Sequence, residues 1–377
     1  MKRRILFVDD DKFVLAGLRR LLNSQRQHWE MEFVDGGREA TSVLERESFD
    51  AVVSDLRMPD VDGAQLLSTV KRKCPSAVRI VLSGQSQQEA KLVETVSAHH
   101  YLFKPCDLET LKIALDRSWR LRDYLGKVAG LVAGEESQER IELFENYRTL
   151  VAGTPGDTQA IELQRVFDRR PEIAQRFRRL LTLPPLGIET SSGDFGSLLD
   201  QLGTQRIAPL LLFSETCEAL NASEATKIDE AFERSSLRVA EGARKIAKSE
   251  SNHPTLVSHS FLAGLFHDVG GLLVANEQTH PSSAEDESRI FASRGAALLL
   301  SWGLPDAISE AVAFQVEPRK CEIKSFSTVT AVHASRYLAD ADREGLESVD
   351  WDRQYLDAIV REDRLVGWQE LLKATPA

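Results

Sequence analysis

The chain has 377 residues, of which 42% are hydrophobic and 28% charged. This composition is typical of a soluble globular protein and argues against a disordered or fibrous one, and the length predicts two or three domains. The 47 Lys and Arg residues stand against 58 Asp and Glu, a net charge of −11. Such a balance argues against an overall attraction to nucleic acid or to an anionic membrane surface.

The cysteines and the start of the chain bear on the compartment. The four cysteines form no Cys-x-x-Cys pair, so neither a zinc knuckle nor a disulfide framework is predicted, and a reducing cytoplasm is favoured. No apolar run reaches the ~18 residues that a membrane span needs. The first strand turns acidic after Val8, too early for a signal peptide, so the mature chain is expected to begin near Met1.

Residues 1–122 alternate short β-branched runs with amphipathic stretches. Strands are predicted at residues 5–8, 31–34, 51–54, 78–82 and 101–103. Between them, apolar residues recur at helical spacing, as in the stripe formed by Leu92, Val93 and Val96. This βαβ alternation predicts an α/β doubly wound, flavodoxin-like parallel sheet of five strands, with functional groups at the carboxyl ends of the strands.

The remainder of the chain is predicted to be helical. Residues 123–138 form a helical connector whose apolar seam runs through Leu121, Leu125, Val128 and Val132. This seam is compatible with packing on its own domain and with a dimer contact. Residues 139–345 form an all-α domain, with helices over 225–247 and 256–274 among others. Residues 346–377 are predicted to be a helical tail that packs on that domain.

Acidic residues follow two neighbouring strands of the predicted sheet. Asp9 and Asp10 follow the first strand, and Asp55 ends the third. Because carboxylates so close repel one another, a hard cation is expected among them, and Mg²⁺ suits carboxylate oxygens. Ser83 and Lys104 end the fourth and fifth strands and could bind a phosphoryl oxygen. The pattern predicts a carboxylate that accepts a phosphoryl group, the alternative being a solvated cluster of loop acids.

These residues resemble a known family, the receiver domain of bacterial two-component response regulators, over roughly residues 3–122. The resemblance rests on the acid pair, on segments 54–59 and 82–84, on Asp62-Gly63 and on Tyr101-Leu102-Phe103-Lys104-Pro105. It implies that a histidine kinase phosphorylates Asp55 and that the peptide before Pro105 is cis. It also implies roles for further residues: Mg²⁺ held by Asp9, Asp10, Asp55 and the backbone carbonyl of Arg57; Ser83 and Lys104 on the phosphoryl group; Tyr101 as an aromatic switch.

The helical domain contains one motif with catalytic character, His267-Asp268 within Gly264–Gly271, predicted to lie in an apolar helix. The pair resembles the metal-dependent phosphohydrolase superfamily named for that dipeptide. Residues 140–345 resemble the HDOD output domain, a relative of that superfamily. The segments that carry this resemblance are 168–174, 197–203 and 301–305; the chain departs from the pattern near residues 182–184.

The positions where active relatives carry further metal ligands hold other residues here. They fall near Ser235-Ser236, Phe291, Phe314-Gln315-Val316 and Ser335-Arg336. Only His267 and Asp268 remain, and two ligands do not make a catalytic metal site. We therefore expect no metal in the output domain, although His259, eight residues before His267, leaves open a rebuilt site.

The sequence thus predicts a signalling protein and not an enzyme. The phosphorylated receiver is expected to act on an unknown downstream signalling protein through a non-catalytic output domain. A surface would change and could form a homodimer together with the connector; it comprises Leu92, Val96, Tyr101, Leu108, Leu111 and Leu115. The alternative is a receiver-gated, metal-dependent HD phosphohydrolase. A transcription regulator needs a basic recognition helix. The arginine-rich segment 165–179 is the basic candidate, but its arginines are interpreted as a solvated face: Arg165, Arg169, Arg170, Arg176, Arg178 and Arg179.

Overall fold

The structure, a computed structural model, describes residues 2–84, 98–128, 157–188, 195–221, 228–273, 284–344, 352–359 and 362–373, with Tyr147 and Leu150. The chain divides into two compact units. Unit 1 comprises residues 1–124 with 303–306, and unit 2 comprises residues 125–302 with 307–377. The predicted stripe of Leu92, Val93 and Val96 lies outside the described residues.

Unit 1 is an α/β unit built on a parallel sheet. Its elements are β1 (Arg3–Asp9), α1 (Lys12–Leu21), a 3₁₀ helix (Asn23–Gln27), β2 (Trp29–Asp35), α2 (Gly37–Leu44), β3 (Ala51–Asp55), α3 (Gly63–Lys73), β4 (Val78–Ser83), β5 (His100–Phe103) and α4 (Leu108–Val128). The strand order is β2-β1-β3-β4-β5, and each neighbouring pair is parallel. The predicted fold class and strand positions are confirmed.

The sheet is buried on both faces because successive strand residues point to opposite sides. On one face, Leu6 and Val8 pack with residues of α2 and α3, such as Val43 and Leu66. The opposite face joins Phe7 and other strand residues to α1 and α4. The strands therefore sit between two apolar layers. Because all neighbouring strands are parallel, their carboxyl ends lie at one edge of the sheet.

The apolar residues of α4 correct one prediction. Leu111 and Leu115 are fully buried in the core with the sheet, so they do not form the exposed face expected of them. Their spacing of four residues places both on the side of the helix that meets the strands. The apolar side chains exposed nearby are instead Phe103 and Ile113. Of the connector seam, Leu121 and Leu125 are buried, and residues 129–146 lie outside the described chain.

Unit 2 is helical in its described part. Its elements are α5 (Asp157–Arg169), α6 (Pro171–Thr182), α7 (Phe195–Leu202), α8 (Thr204–Asn221), α9 (Glu230–Glu250), α10 (Pro254–Leu265), a 3₁₀ helix (Val269–Leu273), α11 (Ala284–Ser301), α12 (from Asp306, which is assigned to unit 1, to Phe314), a 3₁₀ helix (Pro318–Cys321), α13 (Thr328–Glu344), α14 (Arg353–Ile359) and α15 (Glu362–Lys373). In the tail, the buried Trp368 indole donates a hydrogen bond to Glu250 at 3.1 Å.

Helix α10 packs closely against α9. Gly264 makes this possible, because a Cβ there would lie 2.7 Å from Cα of Ala240. Phe266 stacks edge-on with Phe213 and Trp302 in the core. The window Pro254–Leu273 is apolar and long enough to cross a membrane, but 56% of it is buried inside the protein, so it is weak evidence for a span.

Two predicted helices have different limits. Helix α9 begins at Glu230 and not at residue 225, because Asp229 caps it by accepting a hydrogen bond from the Phe232 amide at 2.9 Å. Helix α10 ends at Leu265, so His267 and Asp268 lie in a turn and not within a helix. The turn brings Gly270 against α11, where a Cβ would lie 1.9 Å from the Phe291 carbonyl oxygen.

The arginine segment is only partly a solvated face. Arg176 is 5% exposed and pairs with Glu218 and with the fully buried Glu233. Arg179 also donates to Glu233, at 2.9 Å. The interpretation of Arg176 as solvated is therefore wrong, because the periodicity of α6 turns it toward buried carboxylates that the sequence pattern did not reveal.

Candidate functional site

Three carboxylates meet at the carboxyl edge of the sheet. β1 and β3 are neighbours in register, with Val8 opposite Ser54, and their ends bring Asp9, Asp10 and Asp55 together. One ligand oxygen of each lies within 4.8 Å of the others. Asp9 is 2% exposed, whereas Asp10 is exposed. The predicted acid cluster is therefore a formed cluster with one side open to solvent.

Lys104 joins this cluster from the end of β5. Its ammonium lies 2.6 Å from Asp9 Oδ2 and 2.9 Å from Asp55 Oδ1. Two features fix the backbone here: the Lys104 amide donates to the Ser83 carbonyl at 2.7 Å, and the Lys104–Pro105 peptide is cis, as predicted. The side chain thus reaches past β4 to contact two other strand ends.

Burial and charge act on the two groups in opposite ways. Burial raises the pKa of Asp55 above its ordinary value, and Asp9 adds to this effect, while Lys104 opposes it. Burial alone would lower the pKa of Lys104, but its hydrogen bonds to Asp9 and Asp55 raise it. The site therefore holds one ammonium among three carboxylates, a net charge of −2 when all are ionised.

The donor set suits a small hard cation. Carboxylate oxygens are the ligands that Mg²⁺ prefers, and an exposed side leaves room for the waters and phosphate oxygens that it keeps. The net negative charge would favour a divalent cation. Among the described residues, one group of three or more potential metal-ligating side chains lies within 4.8 Å of one another: Asp9, Asp10 and Asp55.

Other predicted site residues lie around this cluster. Ser83 is buried at the end of β4, where its hydroxyl donates to the Gly84 carbonyl at 2.9 Å. Tyr101 is half-buried on β5 and packs against the apolar layer of α2 and α3. Arg57 is exposed, two residues beyond Asp55. Ser83 thus ends β4, Arg57 lies just beyond the end of β3, and Tyr101 lies within β5.

The adjacent aspartates after β1 make different contacts. Asp11 caps α1 by accepting from the Phe13 amide at 2.7 Å, and Asp9 accepts from the Asp11 amide at 3.0 Å. Across the site, Gly63 at the start of α3 approaches Asp55 so closely that a Cβ would lie 2.1 Å from the Asp55 carbonyl oxygen. An aspartate before a helical stripe is a typical capping signal, but the run Asp9-Asp10-Asp11 offers three candidates in sequence.

The His267-Asp268 pair is arranged differently. His267 is 5% exposed and its Nδ1 contacts the Gly264 carbonyl at 2.9 Å, whereas Asp268 is exposed. Gln315, in the segment 314–316 where a histidine of active relatives was expected to be replaced, donates to the His267 carbonyl oxygen. In the described residues no group of three metal-ligating side chains includes His267.

Sequence reasoning did not foresee the partner of Gln315. The buried His333 contacts the Gln315 carbonyl through Nδ1 at 2.6 Å. Ser335, two residues on, donates to the Val239 carbonyl at 2.8 Å. Both His333 and Ser335 lie on α13. Their contacts with Gln315 and Val239 join residues that are distant in sequence, so no local pattern indicates them.

Comparison with known families follows the same division. Residues 5–116 match the response regulator receiver domain, and residues 197–318 match the HDOD domain. The chain carries a receiver domain and an HDOD domain. Both resemblances seen in the sequence are thereby confirmed.

Curated proteins similar to the chain are named as regulators. The transcriptional regulatory protein GlrR of Escherichia coli is 27% identical over 183 residues, 46% of this chain and 41% of its own length. The response regulator MprA of Mycolicibacterium vanbaalenii is 33% identical over 112 residues, 29% of this chain and 48% of its own. The chain therefore spans less than half of either relative.

Solved structures similar to the chain include receiver domains. One is the signal receiver domain of an HD domain-containing protein from Pseudomonas fluorescens, with 28% identity, a TM-score of 0.30 and coverage of 33% of this chain and 99% of that one. Another is the receiver domain of a sensor histidine kinase from Pseudomonas aeruginosa, with magnesium in its active-site cleft. It is 23% identical, with a TM-score of 0.29, and the match covers 31% of this chain and 97% of that one.

Proposed function

We propose that a histidine kinase phosphorylates Asp55 in a reaction that needs Mg²⁺, and that the HDOD domain passes on the state by protein contacts without catalysis. The observation that carries this proposal is the Lys104 ammonium placed between Asp9 and Asp55 inside the carboxylate cluster. A carboxylate nucleophile needs neutralising charge around it if a phosphoryl group is to approach.

Each residue of the site would have its own part in the transfer of the phosphoryl group. An Asp55 carboxylate oxygen forms the bond to phosphorus as the P–N bond of a phosphohistidine breaks, and the imidazole nitrogen leaves with the electron pair. Lys104 pairs with the phosphoryl oxygens, and the Ser83 hydroxyl turns from the Gly84 carbonyl to donate to one of them. Asp9, Asp10, Asp55 and the Arg57 carbonyl would hold Mg²⁺, which supplies further neutralisation of charge.

Transmission starts from the movement of Ser83. Its displacement toward the phosphoryl group vacates space beside β4, and Tyr101 on the neighbouring strand turns inward to fill it. The register places Tyr101 opposite Val81, two residues before Ser83, which supports this coupling. The surface of β5 and α4 then changes and could form a homodimer or contact a downstream signalling protein.

The non-catalytic role of the HDOD domain is supported by the surroundings of His267. A metal ligand needs its lone pair directed at the ion and a second ligand beside it. Here the histidine is buried, its Asp268 neighbour is exposed, and Gln315 donates to the His267 carbonyl oxygen. We further assign boundaries at 1–122, 123–138, 139–345 and 346–377, and a cytoplasmic location.

The phosphoacceptor assignment is tested by labelling the full chain with radioactive acetyl phosphate and Mg²⁺. Asp55→Asn should abolish acid-stable, base-labile labelling. Asp60→Asn is the matched control, since Asp60 lies in the same loop, is exposed, and has a φ of 66° that asparagine also adopts. Labelling that persists in Asp55→Asn, or is lost equally in Asp60→Asn, contradicts the assignment.

The catalytic alternative, a receiver-gated phosphohydrolase, is tested on the same full chain. After incubation with Mn²⁺ and removal of free metal, we expect no retained transition metal and no hydrolysis of bis(p-nitrophenyl) phosphate, with or without acetyl phosphate. Stoichiometric metal together with turnover that is lost in His267→Ala would show that the HDOD domain is an enzyme.

A further inference from the structure

A cavity of about 300 Å³ opens in the HDOD unit among α7, α8, α9 and α10. Its lining combines cationic residues (Arg206, Arg244 and Lys248) with the polar Asn252 and Ser258 and the apolar Phe261. The volume is at the lower end of the ~300–1,000 Å³ typical of small-molecule sites. Neither His267 nor Asp268 lines it, so it is separate from the degenerate motif.

The cavity carries an excess of positive charge. Arg206 and Arg244 both pair with Glu241, at 3.3 and 2.7 Å, and the Glu241 side chain is only 4% exposed. Lys248 follows Arg244 by four residues, on the same face of α9, and is exposed. Three cations face one carboxylate, which leaves a net charge of +2 at the wall of a concave site.

The guanidinium of Arg206 is held in place before any ligand arrives. Besides Glu241, it donates to the carbonyl oxygens of Leu202 and Gln201, each at 3.0 Å. A fixed fork of donors loses little side-chain entropy on binding, and guanidinium geometry matches phosphate oxygens. The fixed guanidinium of Arg206 therefore favours an oxyanion over a neutral ligand.

The start of α10 adds to the same preference. This helix of 12 residues has Pro254 in its first turn, and its N-cap residue, His253, makes no side-chain capping bond. The first amides of a helix have no partner within the helix and carry partial positive charge. Because Asn252, Pro254 and Ser258 line the cavity, this positive end borders it.

One wall of the cavity is apolar. Val257 is partly exposed there and Leu202 lies beside it, with the fully buried Phe261 behind them. An inorganic ion alone would leave this wall against water. A molecule that bears both a phosphate and an aromatic or other apolar group would satisfy the charged wall and cover the apolar wall at once.

We propose that this cavity binds a small organic phosphate, with the phosphate between Arg206, Arg244 and Lys248 and the apolar group against Val257. Such a site would give the regulator a second input, a metabolite, alongside phosphorylation of the receiver. The inference does not depend on the role proposed for Asp55.

The test is calorimetric titration of the full chain in EDTA, which removes Mg²⁺ from the receiver. The probes are AMP and phenyl phosphate, with adenosine and inorganic phosphate as controls for each half of the ligand. We expect at least one organic phosphate to bind in a 1:1 ratio and more tightly than either control. If AMP and phenyl phosphate both bind no better than inorganic phosphate, the proposal is wrong.

Variants locate the site. Lys248→Gln should weaken binding about tenfold, the loss expected for one charge-assisted hydrogen bond at a partly exposed position. Lys245→Gln, on the same helix but away from the cavity lining, removes the same charge and should leave affinity unchanged. Equal effects of the two changes would indicate a non-specific attraction and overturn the proposal.

A third variant adds charge and removes none. Ser258→Glu places a carboxylate inside the cavity while leaving the pairs of Glu241 intact, and it should abolish binding with unchanged circular dichroism. Undiminished affinity in this folded variant would show that the ligand binds elsewhere and would refute the site.

Discussion

Replacing Lys104 by methionine tests whether the ammonium holds the receiver site together. Methionine keeps most of the apolar stem and removes only the charge and its donors. The wild-type ammonium lies 2.6 Å from Asp9 and 2.9 Å from Asp55, and the side chains of Lys104, Asp9 and Asp55 are 25%, 3% and 13% exposed. The variant would leave three carboxylates facing one another without a counter-charge.

The expected cost follows from this burial. Removing one partner of a buried ion pair destabilises a protein by about 3–5 kcal/mol. Because a quarter of the Lys104 side chain is exposed, we expect about 3 kcal/mol, the lower end of that range. The contribution is complete at neutral pH, since a lysine whose pKa is raised above 10.5 loses its charge only as the pH rises through that higher value.

Hydrogen exchange followed by mass spectrometry measures this change within the full chain. In EDTA at pH 7, the most protected amides of β1 and β3 should lose about a hundredfold in protection, since 1.4 kcal/mol corresponds to a factor of ten. The control is Lys12→Met, whose partner Asp35 lies 3.1 Å away in a pair that is 80% and 40% exposed. Exposed pairs contribute about 0–1 kcal/mol, so its effect should be less than tenfold.

Magnesium provides the second half of the experiment. The variant cluster carries a charge of −3 where the wild type has −2, so added Mg²⁺ should restore more protection in Lys104→Met than it adds to the wild type. Equal protection of variant and wild type in EDTA would refute the reasoning. So would a loss of the same size in Lys12→Met.

Three further predictions concern burial and close contact. In a metal-free NMR titration, Asp55 should protonate above its ordinary pKa of 3.8, and Asp9→Asn should lower that midpoint. The raised pKa means that folding disfavours the ionised carboxylate. The free energy of unfolding should therefore fall as the pH rises from 3.8 through the raised value. Gly63→Ala should destabilise the receiver by about 1–3 kcal/mol in urea unfolding, because its Cβ would overlap the Asp55 carbonyl; Gly17→Ala, which meets nothing within 4 Å, should not, and a loss there would contradict the contact argument. Arg176→Met should cost about 3–5 kcal/mol by leaving Glu233 buried with less compensation, and a thermal shift no larger than that of the surface variant Arg165→Met would count against it.

The receiver could be predicted from sequence because its signals are local and repeated. Short apolar runs gave the strands, and the acid, hydroxyl or lysine after each run marked the carboxyl edge. The parallel arrangement then brings Asp9, Asp55 and Lys104 together without further information. What the pattern could not give is the division of roles among adjacent acids, such as Asp11 as a cap beside Asp9 in the cluster.

The helical unit was harder because its contacts join residues far apart in the chain. A helical arginine looks the same in sequence whether it faces solvent or a buried carboxylate, so Arg176 was misinterpreted. The turn at His267 was missed because the apolar run continues past Leu265, while the constraint comes from Gly270 meeting α11. The spacing of Arg244 and Lys248 was a visible sign of one cationic face, but only the fold supplies Arg206 opposite it.

β5 is one of the two edge strands of the receiver sheet, the other being β2. It is the last strand of the sheet, it pairs only with β4 among the described strands, and its final residue, Phe103, is 50% exposed. The next residue, Lys104, connects this edge to the ends of β1 and β3 through its ion pairs with Asp9 and Asp55. If Asp55 is phosphorylated as proposed, the ammonium gains a new partner, and a change at the centre of the sheet then reaches a strand at its edge.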